Sequence, residues 1–145
     1  MDRQSDKITA LYCRIGYPFD GRDTTSAHAQ LDSLSHYARE HGLKNLRFYC
    51  DWGFSGADPN RPQYLRMLHD VLAGKISELV VLNLSRLARD SEDAWKLIGD
   101  TFPQYSVVFH SVQDGVGIGE TLERFSLIRQ ELKTAYYRSR EGGRD

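Results

Sequence analysis

The sequence predicts an α/β domain of three layers built on a mainly parallel central sheet of four to five strands. Three observations carry this. Short β-prone apolar runs alternate with segments of helical periodicity in the order βαβαβαβα. The run LVVL at 79–82 is apolar on both faces, as a strand covered on both sides must be. The 145 residues, 40% hydrophobic and 27% charged, match the size and composition of one globular domain.

The first strand is expected at 8–13 (ITALYC). A helix follows, with Leu31, Leu34 and Ala38 at helical spacing, Thr25 or Ser26 as N-cap and Gly42 as stop. The second strand lies at 46–50. The next helix carries the stripe Tyr64, Leu65, Leu68, Val71 and Leu72, with Asn60 placed to cap it and Pro62 in its first turn. The third strand is 79–82. A helix at about 91–101 is ended by Pro103, and the fourth strand is 107–112. A long final helix spans about 120–140, with Leu122, Phe125, Leu127, Ile128, Leu132 and Tyr136 at helical spacing, and 141–145 reads as a frayed tail.

The bulk properties narrow the function classes. A net charge of −1 is not that of a domain that grips DNA by overall charge, so contact with nucleic acid requires a local arginine cluster or another domain. No window approaches the roughly 18 consecutive apolar residues of a membrane span, and MDRQSDKITA has no signal-peptide core. The expectation is a cytoplasmic chain with no membrane partner. Cys13 and Cys50 lie in apolar strand-like runs and read as buried reduced thiols. No metal or cofactor is expected, because a zinc site needs more Cys or His at close spacing.

In an open parallel sheet, ligands gather beyond the carboxyl ends of the strands. The residues there are Arg14 after the first strand, Asp51-Trp-Gly-Phe-Ser55-Gly56 and Arg61 after the second, and Asn83-Leu-Ser85-Arg86-Leu-Ala-Arg89-Asp90 after the third. Arg14, Arg61, Arg86 and Arg89 thus converge on one edge, and Arg86 and Arg89 are spaced to share a helix face. Arginine keeps its charge and binds phosphate in bidentate fashion, so the cluster suits a phosphodiester. Taken alone, charged residues in such loops are ordinarily just solvated, and Ser55-Gly56 is an ordinary turn.

Several segments together change that weighing. Tyr12-Cys-Arg14 resembles the tyrosine-x-arginine-x-serine motif that opens the serine recombinases, the resolvase/invertase family. Gln30 stands where the family has a glutamine. Asp51-Trp-Gly-Phe-Ser55-Gly56, followed by Asn60-Arg61-Pro62, is similar to the family's aspartate-x-glycine-x-serine-glycine loop. LVVLNLSRLARD (79–90) resembles the strand ending in serine-arginine-leucine-x-arginine. Its Ser85, where small resolvases carry aspartate, is in the style of large serine recombinases and transposon relatives. Val112-Gln-Asp114-Gly-Val116 matches the segment after the fourth strand.

The resemblance implies a resolvase-like catalytic domain over 1–118 and, over 119–145, a helix that dimerises or links, with its tail. It implies a site-specific DNA recombinase: a serine hydroxyl attacks the scissile phosphate without metal, and a phosphoseryl link holds the strand until exchange. Arg14, Arg86 and Arg89 would bind and polarise the phosphate. Arg61, Ser55 and Gln30 would hold the site together or contact the phosphate, with Asp51 and Ser85 behind them. The implied partners are DNA, through its phosphates, and a second copy of the chain or a higher oligomer, through the C-terminal helix.

The nucleophile position is Gly16, which has no attacking atom, and Gly16-Tyr-Pro-Phe replaces the family's polar stretch. Tyr17 is one residue along, where the side-chain direction reverses. Trp52 and Asn83 are further unusual neighbours. Three readings follow. The chain is a recombinase catalytic domain, a non-catalytic DNA-binding or assembly module derived from one, or an unrelated phosphate-binding α/β domain of flavodoxin-like shape. The first two require the first and third strands to be neighbours, so that Arg14 meets Arg86 and Arg89.

Overall fold

The computed structural model describes residues 6–16, 19, 25–87 and 96–113. Four parallel strands, β1 (Ile8–Ile15), β2 (Leu46–Trp52), β3 (Ile76–Val81) and β4 (Val108–Ser111), form one sheet in the order β2-β1-β3-β4. The first and third strands are therefore neighbours, as expected. β1 is the hinge of the topology: the chain moves to one side of it for β2 and to the other for β3. Such a switch point opens a crevice beyond the strand ends.

Helix α1 (Thr25–Glu40) covers one face of the sheet and α2 (Pro62–Leu72) the other. Alternation along β1 feeds both layers. Leu11 and Cys13 pack with Leu34, Ala38 and Val80 on the α1 side. Ala10 and Tyr12 pack with Tyr49, Tyr64, Met67, Val71, Leu79, Ile98 and Phe102 on the α2 side. This is the three-layer α/β class the periodicity predicted.

The helix ends differ from expectation in instructive ways. Gly42 does stop α1. At φ +69° it takes the left-handed conformation, the Gly42 N–H donates to the Arg39 carbonyl and the Leu43 N–H to the Ala38 carbonyl. Thr25 and Ser26, however, already lie inside α1, and the cap position falls outside the described residues. Asn60 does not cap α2. Arg61 occupies the N-cap, with Pro62 at the first helical position as expected, and the open amides of Gln63 and Tyr64 donate to the Asp51 carboxylate at 3.0 Å each. A carboxylate from the end of β2 thus does what a local cap would do.

Beyond β3 a short helix α3 (Leu84–Leu87) starts at once. Pro103 does not end the next helix. The chain makes a wide π-type turn over Leu97–Thr101 and continues helically through Phe102–Gln104. Proline has no N–H to give to the carbonyl four residues back and crowds it, and the widened turn before it relieves that conflict. The expected helix start at 91 and the final helix at 120–140 lie outside the described residues.

Candidate functional site

The site forms where β1 and β3 end side by side. Arg14, the penultimate residue of β1, turns its side chain across the strand ends. Its Nη1 donates to the Phe54 carbonyl at 2.9 Å, its Nη2 to the Ser85 carbonyl at 2.8 Å and its Nε to the Arg86 carbonyl at 3.3 Å. One guanidinium therefore ties the loop after β2 to α3. Gln30 of α1 clamps the backbone of the same residue, accepting from the Arg14 N–H at 3.2 Å and donating to its carbonyl at 2.9 Å. Arg86 Nη1 donates to that carbonyl too, at 2.9 Å.

Arg61 is equally enclosed. Its Nε donates to the Asp58 carbonyl at 2.9 Å, and its Nη1 donates to the Tyr12 hydroxyl at 3.0 Å and to the Arg86 carbonyl at 3.4 Å. The guanidinium lies 3.8 Å from the Tyr64 ring centre and 5.8 Å from that of Tyr12, within cation–π range of both. The Tyr12 hydroxyl in turn donates to Asp51 at 2.8 Å. Burial pushes the Tyr12 phenol far above its ordinary range, so it stays protonated and keeps that bond. Arg14, Gln30, Asp51 and Arg61 expose 5% or less of their surface, so these contacts are made out of water.

Arg86 differs from the other two. It is only half-buried, and its Nε is enclosed with no hydrogen-bond partner among the described residues. The ion pairs among these residues are His36–Glu40, Arg47–Asp70, His69–Asp70 and His110–Glu78, so neither Arg61 nor Arg86 is neutralised by a carboxylate there. Among the described residues this positive charge is met by carbonyl oxygens, the Tyr12 hydroxyl and tyrosine rings rather than by carboxylates, an environment that suits an incoming anion.

Gly16 lies at the rim of this cluster. A Cβ built on it would sit 3.7 Å from Arg14 Nη1, an ordinary contact, and its φ is not left-handed. A side chain at this position would thus stand directly beside the guanidinium. The neighbouring loop is pinned by the Gly53 and Phe54 amides, which both donate to the Ile15 carbonyl, at 2.8 and 3.1 Å. Gly53 holds φ +86° there. Trp52 stacks on Phe19 with ring centres 6.2 Å apart, walling the outer side of the loop.

The two serines shape loops. Ser55 Oγ accepts from the Ala57 amide at 3.1 Å. Exposed Ser85 donates to Asn83 Oδ1 at 2.6 Å, and Asn83 Nδ2 donates to Gln113 at 2.9 Å, joining the ends of β3 and β4. The structure therefore brings together Arg14, Gly16, Gln30, Asp51, Arg61, Ser85 and Arg86, while among the described residues the Ser55 side chain bonds only within its own loop. Arg89 lies outside the described residues.

Sequence reasoning overlooked Tyr12, Tyr64 and Gln113 as members of the site. Two of them carried a signal: Tyr12 shares a strand face with Arg14, and Tyr64 follows Arg61 by three residues at the start of a helix. Among the described residues no group of three His, Cys, Asp or Glu side chains is placed to hold a metal ion.

Comparison with known proteins bears on the arrangement. The family model described as "Resolvase, N terminal domain" matches residues 9–141. The transposon Tn917 resolvase of Enterococcus faecalis is 29% identical over 147 residues, covering 90% of this chain and 74% of that protein. Among solved structures, the N-terminal catalytic domain of TP901-1 integrase superposes with a TM-score of 0.70 at 27% identity, covering 95% of this chain and 100% of that one. A resolvase family site-specific recombinase from Streptococcus pneumoniae gives 0.70 at 25% identity, covering 92% and 91%.

Proposed function

The chain belongs to the resolvase family of serine recombinases, and from that premise we propose that it binds the DNA phosphodiester as a recombinase domain does but forms no phosphoseryl bond. The observation that carries this reading is the pairing of Gly16 with Arg14. The scaffold aims the side chain of position 16 at a guanidinium, and the residue there has no side chain.

The chemistry follows from the cluster. Arg14 and Arg61 act as a charged framework whose nitrogens hold the three loops together. Arg86, more exposed than Arg14 and Arg61, makes the direct phosphate contact, and Arg89 extends it. Arginines so arranged stabilise charge on phosphoryl oxygens, but they supply no covalent intermediate. In-line attack needs a nucleophile within about 3–3.5 Å of phosphorus.

With a net charge of −1, the domain binds duplex DNA weakly and with little sequence preference, steeply dependent on salt. Pairing with other subunits through the stripe at 119–145 belongs to the same reading, as does a cytoplasmic location. No helix among the described residues is long and apolar enough to cross a membrane.

The test is duplex retention at low salt by the unmodified chain and by Arg86→Ala. Loss of most binding in the variant, with its fold intact by circular dichroism, supports the reading. Equal binding by both refutes it.

A further inference from the structure

Cys13 and Cys50 stand directly opposite each other on the paired strands β1 and β2. Neighbouring strands run about 4.8 Å apart, inside the roughly 4.4–6.8 Å Cα separation that a disulfide bridges. Both thiols belong to the α1 face of the sheet, where Leu11, Leu34 and Ala38 enclose them. Both are free, Cys13 fully buried and Cys50 half-buried. The neighbouring Cys50 sulfur, together with burial, pushes the Cys13 thiol up, while the neighbouring Cys13 thiol draws Cys50 down from the ordinary thiol range against the opposing effect of its own burial. The more accessible sulfur is therefore also the better thiolate.

We propose that Cys13 and Cys50 are a redox couple that closes to a reversible intramolecular disulfide on exposure to a hydroperoxide. Cys50 is the reacting thiol and Cys13 the resolving one. The Cys50 thiolate attacks the peroxide: an S–O bond forms, the O–O bond breaks, and the leaving oxygen departs as water after taking up a proton. Cys13 then attacks the Cys50 sulfenic sulfur, forming the S–S bond and expelling a second water. Two thiols are oxidised and one hydrogen peroxide is reduced to two waters. Because the residues already share a rung of the sheet, closure requires little strand movement. The rung lies one residue before Arg14 and Asp51, themselves in register, so the bond would lock β1 to β2 at the base of the arginine cluster. The inference does not depend on DNA binding.

The experiment treats the folded 145-residue chain with hydrogen peroxide, blocks remaining thiols, and maps peptides without reduction. The expected product is a single cross-linked peptide joining Cys13 and Cys50, with the intact mass lower by two hydrogens and restored by dithiothreitol. Cys13→Ser should accumulate a dimedone adduct on Cys50, whereas Cys50→Ser should leave Cys13 unreactive while folded. Recovery of both cysteines as separate peptides, a cross-link that forms only in urea, or Cys13 reacting with dimedone as fast as Cys50 would overturn the proposal. The wild-type map decides the matter even if either variant fails to fold.

Discussion

Arg14 and Arg86 interlock through each other's backbone: Arg86 Nη1 donates to the Arg14 carbonyl at 2.9 Å, and Arg14 Nε donates to the Arg86 carbonyl at 3.3 Å. Two like charges are thus held together by dipoles that favour both, across the switch point of the sheet.

The two arginines should separate by experiment. Arg14→Ala takes the buried guanidinium donor from the carbonyls of Phe54 and Ser85 and leaves the Arg86 carbonyl, among the described residues, only the 3.4 Å bond from Arg61, and should lower stability by about 2–4 kcal/mol in urea denaturation. Arg86→Ala should cost less, about 1 kcal/mol, because the residue is half-buried and one of its nitrogens is already unpaired.

Sulfate should raise the melting temperature of the unmodified chain. An anion present at about ten times its dissociation constant contributes roughly 1.4 kcal/mol of folded-state stability. Arg86→Ala should abolish this shift. A sulfate effect of equal size in the variant would place the anion elsewhere.

The capping of α2 gives a second contrast. Asp51→Ala removes the acceptor for the Gln63 and Tyr64 amides and for the Tyr12 hydroxyl, and should cost about 2–4 kcal/mol. Asn60→Ala should be nearly neutral, within about 0.5 kcal/mol, because Asn60 is exposed and its side chain caps nothing. Urea midpoints of the two variants check this.

Alkaline pH should expose the state of Tyr49. Burial, with the hydrogen bond it donates to Asp70 at 2.7 Å, pushes its phenol up to about 12. The raised value means that the folded state favours the protonated phenol. Its contribution is complete below the ordinary tyrosine value of 10.0 and is lost as pH rises toward about 12. Tyr49→Phe should lose stability less steeply over that window, as thermal melts at rising pH would read.

Much of this architecture was legible in the chain because burial leaves a pattern. LVVL at 79–82 announced a strand covered on both faces, and most of it lies in β3 with both packing layers against it. The convergence of Arg14 and Arg86 followed from counting which residues come after each strand. What was not legible depends on partners far away in sequence. Asp51 caps a helix that starts eleven residues later, and a rule that looks for a local cap chose Asn60 instead. Arg14 read as a phosphate ligand because its type suits one. That its three nitrogens hold carbonyls from the loop after β2 and from α3 depends on how those segments close over the strand ends. Pro103 read as a stop, whereas a widened turn let the helix run past it.

Gly16→Ser should fold as well as the unmodified chain, with stability within about 0.5 kcal/mol. Among the described residues the added Cβ meets only Arg14 Nη1, at 3.7 Å, and the backbone is not in the left-handed region. This tolerance makes the variant a usable probe of the chemistry.

The most direct measurement is covalent trapping. The unmodified chain and Gly16→Ser are incubated with suicide DNA substrates carrying a resolvase-type crossover site, then run on a denaturing gel. The unmodified chain should give no protein–DNA adduct, because the position beside Arg14 carries no nucleophile. An adduct formed by the unmodified chain, mapped by mass spectrometry to any residue, would contradict the account.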